Sequence, residues 1–322
     1  MRPIRHTITQ FLLKILLRGC FLLLILMASS QLAVSQQNPL YTQYMFNKLV
    51  VNPAYAGTQP YMSSTLFTRK QWVGFNGAPL TVSASLHGPL KNKRAGLGLI
   101  INNDHIGVTN QTDLYGSYSY QLPLPSGTLS MGLSGGISFF KSNLSDLKVW
   151  DPNDQVYQVN SLTDQLPNFG AGLYYYSTKL YLGLSVPQLL SYDADKGLGA
   201  KRSSMHHPVP HYYFIAGGII GNSEDIKFKP SCMVKYVQGA PVQFDVNMNV
   251  LFNEIVWVGA SYRYKDAVSL IFEYQLSRKL KLGYAYDYPV SNLSTVTTGT
   301  HEIMMGFDFG YDILKMKNPR YF

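Results

Sequence analysis

Residues 242–250 read Val, Gln, Phe, Asp, Val, Asn, Met, Asn, Val, and this alternation of apolar and polar positions recurs in segment after segment almost to the end of the chain. In a strand successive side chains point to opposite faces. Val242, Phe244, Val246, Met248 and Val250 therefore form an apolar face, and Gln243, Asp245, Asn247 and Asn249 a polar one. The pattern predicts fourteen strands, near residues 61–70, 78–88, 95–104, 112–122, 127–139, 167–176, 179–186, 210–220, 226–236, 241–251, 254–264, 267–276, 279–288 and 300–311. No helices intervene, so the fold is all-β. So many half-apolar strands need either a lipid-facing exterior or a large apolar core.

Two further patterns favour the lipid-facing choice, a transmembrane antiparallel up-and-down β-barrel of about fourteen strands. Short connections, such as 123–126, 177–178, 252–253 and 277–278, are expected to alternate with a set containing the long loops 140–166 and 187–209. Outer-membrane barrels show this asymmetry between periplasmic turns and external loops. The faces agree: Leu129, Met131, Leu133, Ile137 and Phe139 oppose Ser130, Gly132, Ser134, Gly136 and Ser138, so large apolar residues point out and small or polar ones point in. Lys227, Lys229 and Lys235 must then face the lumen or its mouths, because a lysine at mid-depth on the lipid side costs a few kcal/mol. Their expected partners are Asp245, Glu273 and Asp287 on other strands, with attraction of anionic segments into the lumen as the alternative.

Composition fits such a surface. Charged residues are 14% of the chain, against roughly 25% in soluble domains, and aromatic residues are 13%, with 24 tyrosines. Tyrosine suits a membrane interface, where ring and hydroxyl are both satisfied. The mean hydropathy of -0.03 excludes a helical membrane protein but not a barrel, half of whose strand positions are polar.

Residues 1–35 read as a signal peptide. Arg2, Arg5, Lys14 and Arg18 accompany an apolar run at 21–28, and Ala33-Val34-Ser35 offers a small-residue cleavage site. The run is shorter than the roughly 20 residues of a membrane-spanning helix. Without this leader 23 basic and 18 acidic side chains remain, a net charge of +5 that gives no sign of nucleic-acid binding. Cys232 is then the one cysteine left, at an apolar strand position beside Phe228 and Val234, so the mature chain has no internal disulfide. Residues 36–60 form an amino-terminal periplasmic or lumenal segment: its prolines and Gly57 deny it a regular helix, while Tyr41, Tyr44, Phe46 and Tyr55 need shelter. The barrel spans 61–311. A periplasmic tail, 312–322, follows an aromatic-rich last strand, and the even strand count returns both mature termini to the periplasm.

Catalytic and metal chemistry is not legible. His206, His207 and His211 straddle Pro208 and Pro210 without completing a ligand set, and Asp193 to Gly197 lacks the calcium-loop spacing. Residues 151–154 read as a polar turn, no Gly-x-Ser-x-Gly elbow is present, and His301 and Glu302 fall on opposite faces of one strand. No catalytic, cofactor or metal residues are assigned, and the chain is read as a non-enzyme. Tyr41, Tyr44, Phe46, Tyr55, Trp72 and Phe75 are the candidates for docking a protein partner, with packing inside the barrel as the alternative.

The run Gln43-Tyr44-Met45-Phe46-Asn47, followed by Asn52-Pro53-Ala54-Tyr55-Ala56-Gly57, resembles the amino-terminal signature of the PorP/SprF family of outer-membrane proteins. Arg69 to Phe75, Ser185 to Gln188, Lys227 to Ser231, Gly239 to Pro241, Ser261 to Arg263, Gly299 to Ile303 and Pro319 to Phe322 match as well, with Thr300 where serine is expected. The resemblance implies an outer-membrane component of the type IX secretion system, in some members serving gliding motility. It implies contact with the periplasmic ring components of that machine and with the carboxy-terminal secretion domains of cargo adhesins. A passive channel or small-solute transporter is the alternative function, and an outer-membrane hydrolase a third, for which no serine stands out.

Overall fold

The computed structural model describes residues 40–91, 93–143, 162–191, 209–221 and 225–309. The alternation becomes fourteen strands: β1 (Met62–Lys70), β2 (Leu80–Pro89), β3 (Ala95–Ile106), β4 (Thr109–Leu124), β5 (Gly127–Ser142), β6 (Leu162–Tyr176), β7 (Leu180–Val186), β8 (His211–Gly218), β9 (Ile226–Val237), β10 (Gln243–Phe252), β11 (Val256–Arg263), β12 (Ala267–Gln275), β13 (Leu280–Pro289) and β14 (Thr300–Phe309). Each pairs antiparallel with its neighbour, and β1 pairs with β14 from Met62↔Phe309 to Lys70↔His301, closing the sheet. Closure matters because a backbone group left unpaired in hydrocarbon costs several kcal/mol. Among the described residues no helix is long and apolar enough to cross a membrane.

The two faces separate as the pattern predicts. On β10 Val246 and Met248 are 44% and 47% exposed, while Asp245, Asn247 and Asn249 are buried. Cys232 lies on the outer face of β9, paired with Val246.

Two expectations change. First, β4, β5 and β6 run to 16, 16 and 15 residues. Pairs such as Thr109↔Ser142 and Gln111↔Phe140 carry the ladder past the apolar band, where alternation no longer marks it. The expected loop 140–166 shortens accordingly. Second, the loop asymmetry is only partial. At the end bearing the longer loops, Gly107 and Val108 alone join β3 to β4, and residues 264–266 join β11 to β12. Both turns use left-handed backbone, with Gly107 at φ 57° and Lys265 at φ 57°. This end is called the loop end, and the opposite one the turn end.

At the loop end, segments 71–79 and 290–299 zip together. Val73 N–H donates to the Gly299 carbonyl at 2.8 Å, and Thr298 N–H donates to the Val73 carbonyl at 2.9 Å. The Gly107 N–H reaches Gly77 O at 3.0 Å and ties in a third connection. The signal peptide, the tail, His206, His207, Asp193 to Gly197 and residues 151–154 lie outside the described residues.

Candidate functional site

Residues 40–59 lie inside the barrel. The prolines limit them to short 3-10 turns at Lys48–Val50 and Pro53–Tyr55, the second capped by Asn52, whose Oδ1 accepts from Ala54 N–H at 2.9 Å. This strap starts beside Asp287 and Glu302, near the loop ends of β13 and β14. It reaches Gly57 beside Gly88 and Gly96, near the turn ends of β2 and β3. It therefore runs the length of the lumen before β1 begins. Even strand count fixes where the barrel strands start and finish, but not where the strap begins.

A charged cluster holds the strap's amino half. The Glu302 carboxylate accepts from the backbone N–H groups of Thr42 and Gln43 at 2.9 and 2.8 Å. Thr42 Oγ1 donates to Asp287 at 2.8 Å and accepts from Arg69 Nη1 at 2.9 Å. Arg69 also bridges Asp287 at 2.7 Å and Glu302 at 3.0 Å, with all three side chains almost fully buried. Arg263 continues the cluster, bound to Asp245 at 3.2 Å and 3.8 Å from Asp287. Such buried charges are tolerable only because each is paired.

Neutral wall groups hold the carboxyl half. Ser185, Ser130 and Ser119 hydroxyls and the Gln121 amide donate to the carbonyls of Val51, Ala54, Ala56 and Gly57, each at 2.6 Å. A β-carbon at Gly132 would overlap the Ala54 backbone, and one at Gly96 the Ala56 carbonyl. The small-inward pattern of β3 and β5 is thus the imprint of a chain lying against the wall.

Aromatic rings and two lysines fill the space between. Tyr41 packs on Phe67 at 5.4 Å between centroids, Tyr55 meets Tyr174 edge-on at 5.5 Å, and Asn247 Nδ2 donates to Tyr44 Oη at 2.8 Å. Phe46 lies 6.0 Å from Trp257, with Lys229 Nζ over both rings. Lys48 is buried, donates to the Met45 carbonyl at 2.9 Å and lies 4.5 Å from the Tyr181 ring centroid. The strap is not one of the membrane-crossing strands. Burial, then the charges of Lys229 and Lys281, push the Lys48 ammonium well below its ordinary range.

The six aromatics singled out in the sequence do not form one site. Tyr41, Tyr44 and Tyr55 are buried in the lumen and Phe46 is half-buried there. Trp72, half-buried at φ 45°, shapes the 71–79 loop, and Phe75 at its tip is 53% exposed. Phe75, Leu293 and Val296 give the loop end exposed apolar tips. The lysine pairing meets expectation in part: Glu273 attracts Lys229 and Asp245 attracts Lys235, while Asp287 and Lys227 pair otherwise. Asp287 serves Arg69 and Arg263, and Lys227 binds Glu254 at 2.5 Å. Arginine's planar fork spreads its donors, so Arg69 reaches Asp287 with one Nη and Glu302 with the other. Sequence reasoning missed Arg69 and Glu302. The available signal was charges of opposite sign at inward positions of the two terminal strands.

The strap leaves a cavity of 410 Å³ at the turn end, lined by Phe46, Lys229, Trp257, Glu273 and Lys281 among others. A second, of 60 Å³, lies beside Tyr41 and Gln188. Tyr44, Met45, Asn47 to Leu49, Val51 and Asn52 are buried. Among the described residues no group of three or more His, Cys, Asp or Glu side chains is placed to hold a metal ion. His301 turns outward to Tyr284 while Glu302 turns inward, so they share no site.

Comparison with known proteins places these features. Residues 33–307 match the family described as type IX secretion system membrane protein PorP/SprF. Comparison with curated protein sequences gives no match. Among solved structures the fold is similar to the CymD monoaromatic hydrocarbon channel, with 13% identity, a TM-score of 0.52, and coverage of 86% of this chain and 95% of that one. Omp33 of Acinetobacter baumannii is also similar, at 10% identity and a TM-score of 0.46, over 79% of this chain and 100% of that one.

Proposed function

Because the chain belongs to the PorP/SprF family of type IX secretion membrane proteins and folds as an outer-membrane barrel, we propose that it is a non-enzymatic docking component. In this reading the signal peptide 1–35 exports the chain. The loop end faces outward and receives the carboxy-terminal secretion domains of cargo adhesins, for secretion or surface anchoring, including in gliding. The turn end and the tail 312–322 face the periplasm and meet the ring components of the machine.

One observation carries the reading: segments 71–79 and 290–299 are zipped into a platform with exposed Phe75, Leu293 and Val296, above a lumen filled by the protein's own strap. A pre-ordered apolar surface binds with little ordering cost. A filled lumen disfavours the passive channel as the resting function. Of the six aromatics, Phe75 supplies contact surface and Trp72 sets its loop. Tyr41, Tyr44, Phe46 and Tyr55 act by holding the strap.

Affinity purification of the native barrel in mild detergent, followed by mass spectrometry, tests this. Wild type is expected to recover both secretion-domain proteins and periplasmic ring proteins. Phe75→Asp is expected to lose the former and keep the latter. Recovery of neither class by wild type overturns the proposal.

A further inference from the structure

The strap and the wall behind it carry a second function. We propose that residues 40–59 are a releasable plug, latched near the loop end by Arg69, Asp287 and Glu302 and hinged at Pro60, whose undocking opens the barrel as an aqueous pore for ions and small polar solutes.

Three features support release rather than permanent filling. The ladder from β1 round to β14 is complete without the strap. The strap's own backbone bonds are local, such as Asn52 N–H to the Lys48 carbonyl at 2.9 Å, and the wall holds it through side chains. Its departure would therefore break no strand pairing. The wall behind it is the second feature. Ser119, Ser130, Ser185, Asn247 and Asn249 are groups that water satisfies as readily as a peptide does. These groups would hydrate, while the apolar wall residues Phe67, Leu251, Trp257, Ile271 and Met304 are covered by the docked strap and favour its return.

The docked state also leaves polar groups poorly served. Among the described residues the buried Asn249 amide and Tyr174 hydroxyl have no hydrogen-bond partner, and Lys48 has no carboxylate in reach. All three gain hydration when the strap leaves, which offsets part of what the latch contributes. The route is set by covalent connection. Gln59 is buried, Pro60 is exposed and β1 begins at Met62, so the strap stays tethered at the turn end and must leave by that end. The latch grips the part of the strap farthest from this hinge.

Single-channel recording of the purified full-length protein in planar bilayers tests the proposal, independently of any secretion partner. Wild type is expected to be silent or to open rarely, and deletion of residues 40–59 to give steady current. Glu302→Gln keeps the shape of the latch but removes its charge, and should open about tenfold more often than wild type. A β-carbon at Gly98 would lie 3.2 Å from that of Ala56, close to disulfide range. Paired Ala56→Cys and Gly98→Cys substitutions should therefore pin the carboxyl half in the lumen, hold the Glu302→Gln current below that of the deletion under oxidising conditions and lift this limit on reduction. A deletion protein with full sheet content but no current overturns the proposal. So does wild-type current equal to that of the deletion, or Glu302→Gln current that equals that of the deletion while the carboxyl half is pinned by the disulfide.

Discussion

The two halves of the strap are held by different physics. Thr42 and Gln43 are gripped by a few strong charge-assisted bonds from Glu302, Asp287 and Arg69. Residues 51–57 are held by many weak bonds from neutral hydroxyls and amides, and by notches where the wall carries glycine. The charged half depends on identity at three positions. The neutral half depends on shape over a broad surface, so one substitution should release the first but only a clash should release the second.

Four measurements break or sharpen this contrast, most usefully by hydrogen exchange of the strap amides alongside denaturant unfolding in detergent. Arg69→Met leaves Asp287 and Glu302 buried with their main counter-ion gone, and is expected to cost about 3–5 kcal/mol. A loss under about 1 kcal/mol would mean the latch is worth no more than a surface ion pair. Gly132→Val drives a side chain into Ala54 and should cost about 3 kcal/mol by overpacking. Its signature is local: fast exchange near residues 53–57 with Thr42 and Gln43 still protected. Simultaneous loss of protection along the whole strap would show that the halves act as one unit.

Ser119→Ala and Ser130→Ala should each cost about 1 kcal/mol, and the double variant measures how far neighbouring wall hydroxyls couple. The smallest effect concerns Lys48. Its value is lowered in the docked strap, so the undocked state binds more protons and docking strengthens as pH rises toward the ordinary lysine value of 10.5. Lys48→Met should dock as well as wild type or better at neutral pH and lose that component of the pH dependence. An identical pH slope in the two proteins would assign the titration elsewhere.

Much of the barrel was legible because its governing signal is local. A residue's face follows from parity, so β7, β9, β12 and β13 lie within one or two residues of their expected bounds. The long strands β4 to β6 escaped for the converse reason, since outside the bilayer neither face must be apolar. The strap was legible only as a sheltered segment, under or inside the barrel. Its turns follow from Pro53 and Asn52, but its path depends on partners such as Glu302, 260 residues from Thr42. No periodicity links positions so far apart. The same limit explains why Ser130 and Gly132 read as inward and small without revealing what they are small for.

The strap's route also bears on how the barrel is assembled. It is continuous with β1 at one end and bonded to β13 and β14 through Asp287 and Glu302 at the other, so it bridges the seam at which the sheet closes. Pairings between distant parts of a chain form late, because their loop-closure entropy must be met before they contribute. A strap seated on β13 and β14 ties the first strand to the last by a second set of bonds, of the same long sequence separation as the seam itself. The segment that fills the finished lumen thus also braces the joint that encloses it.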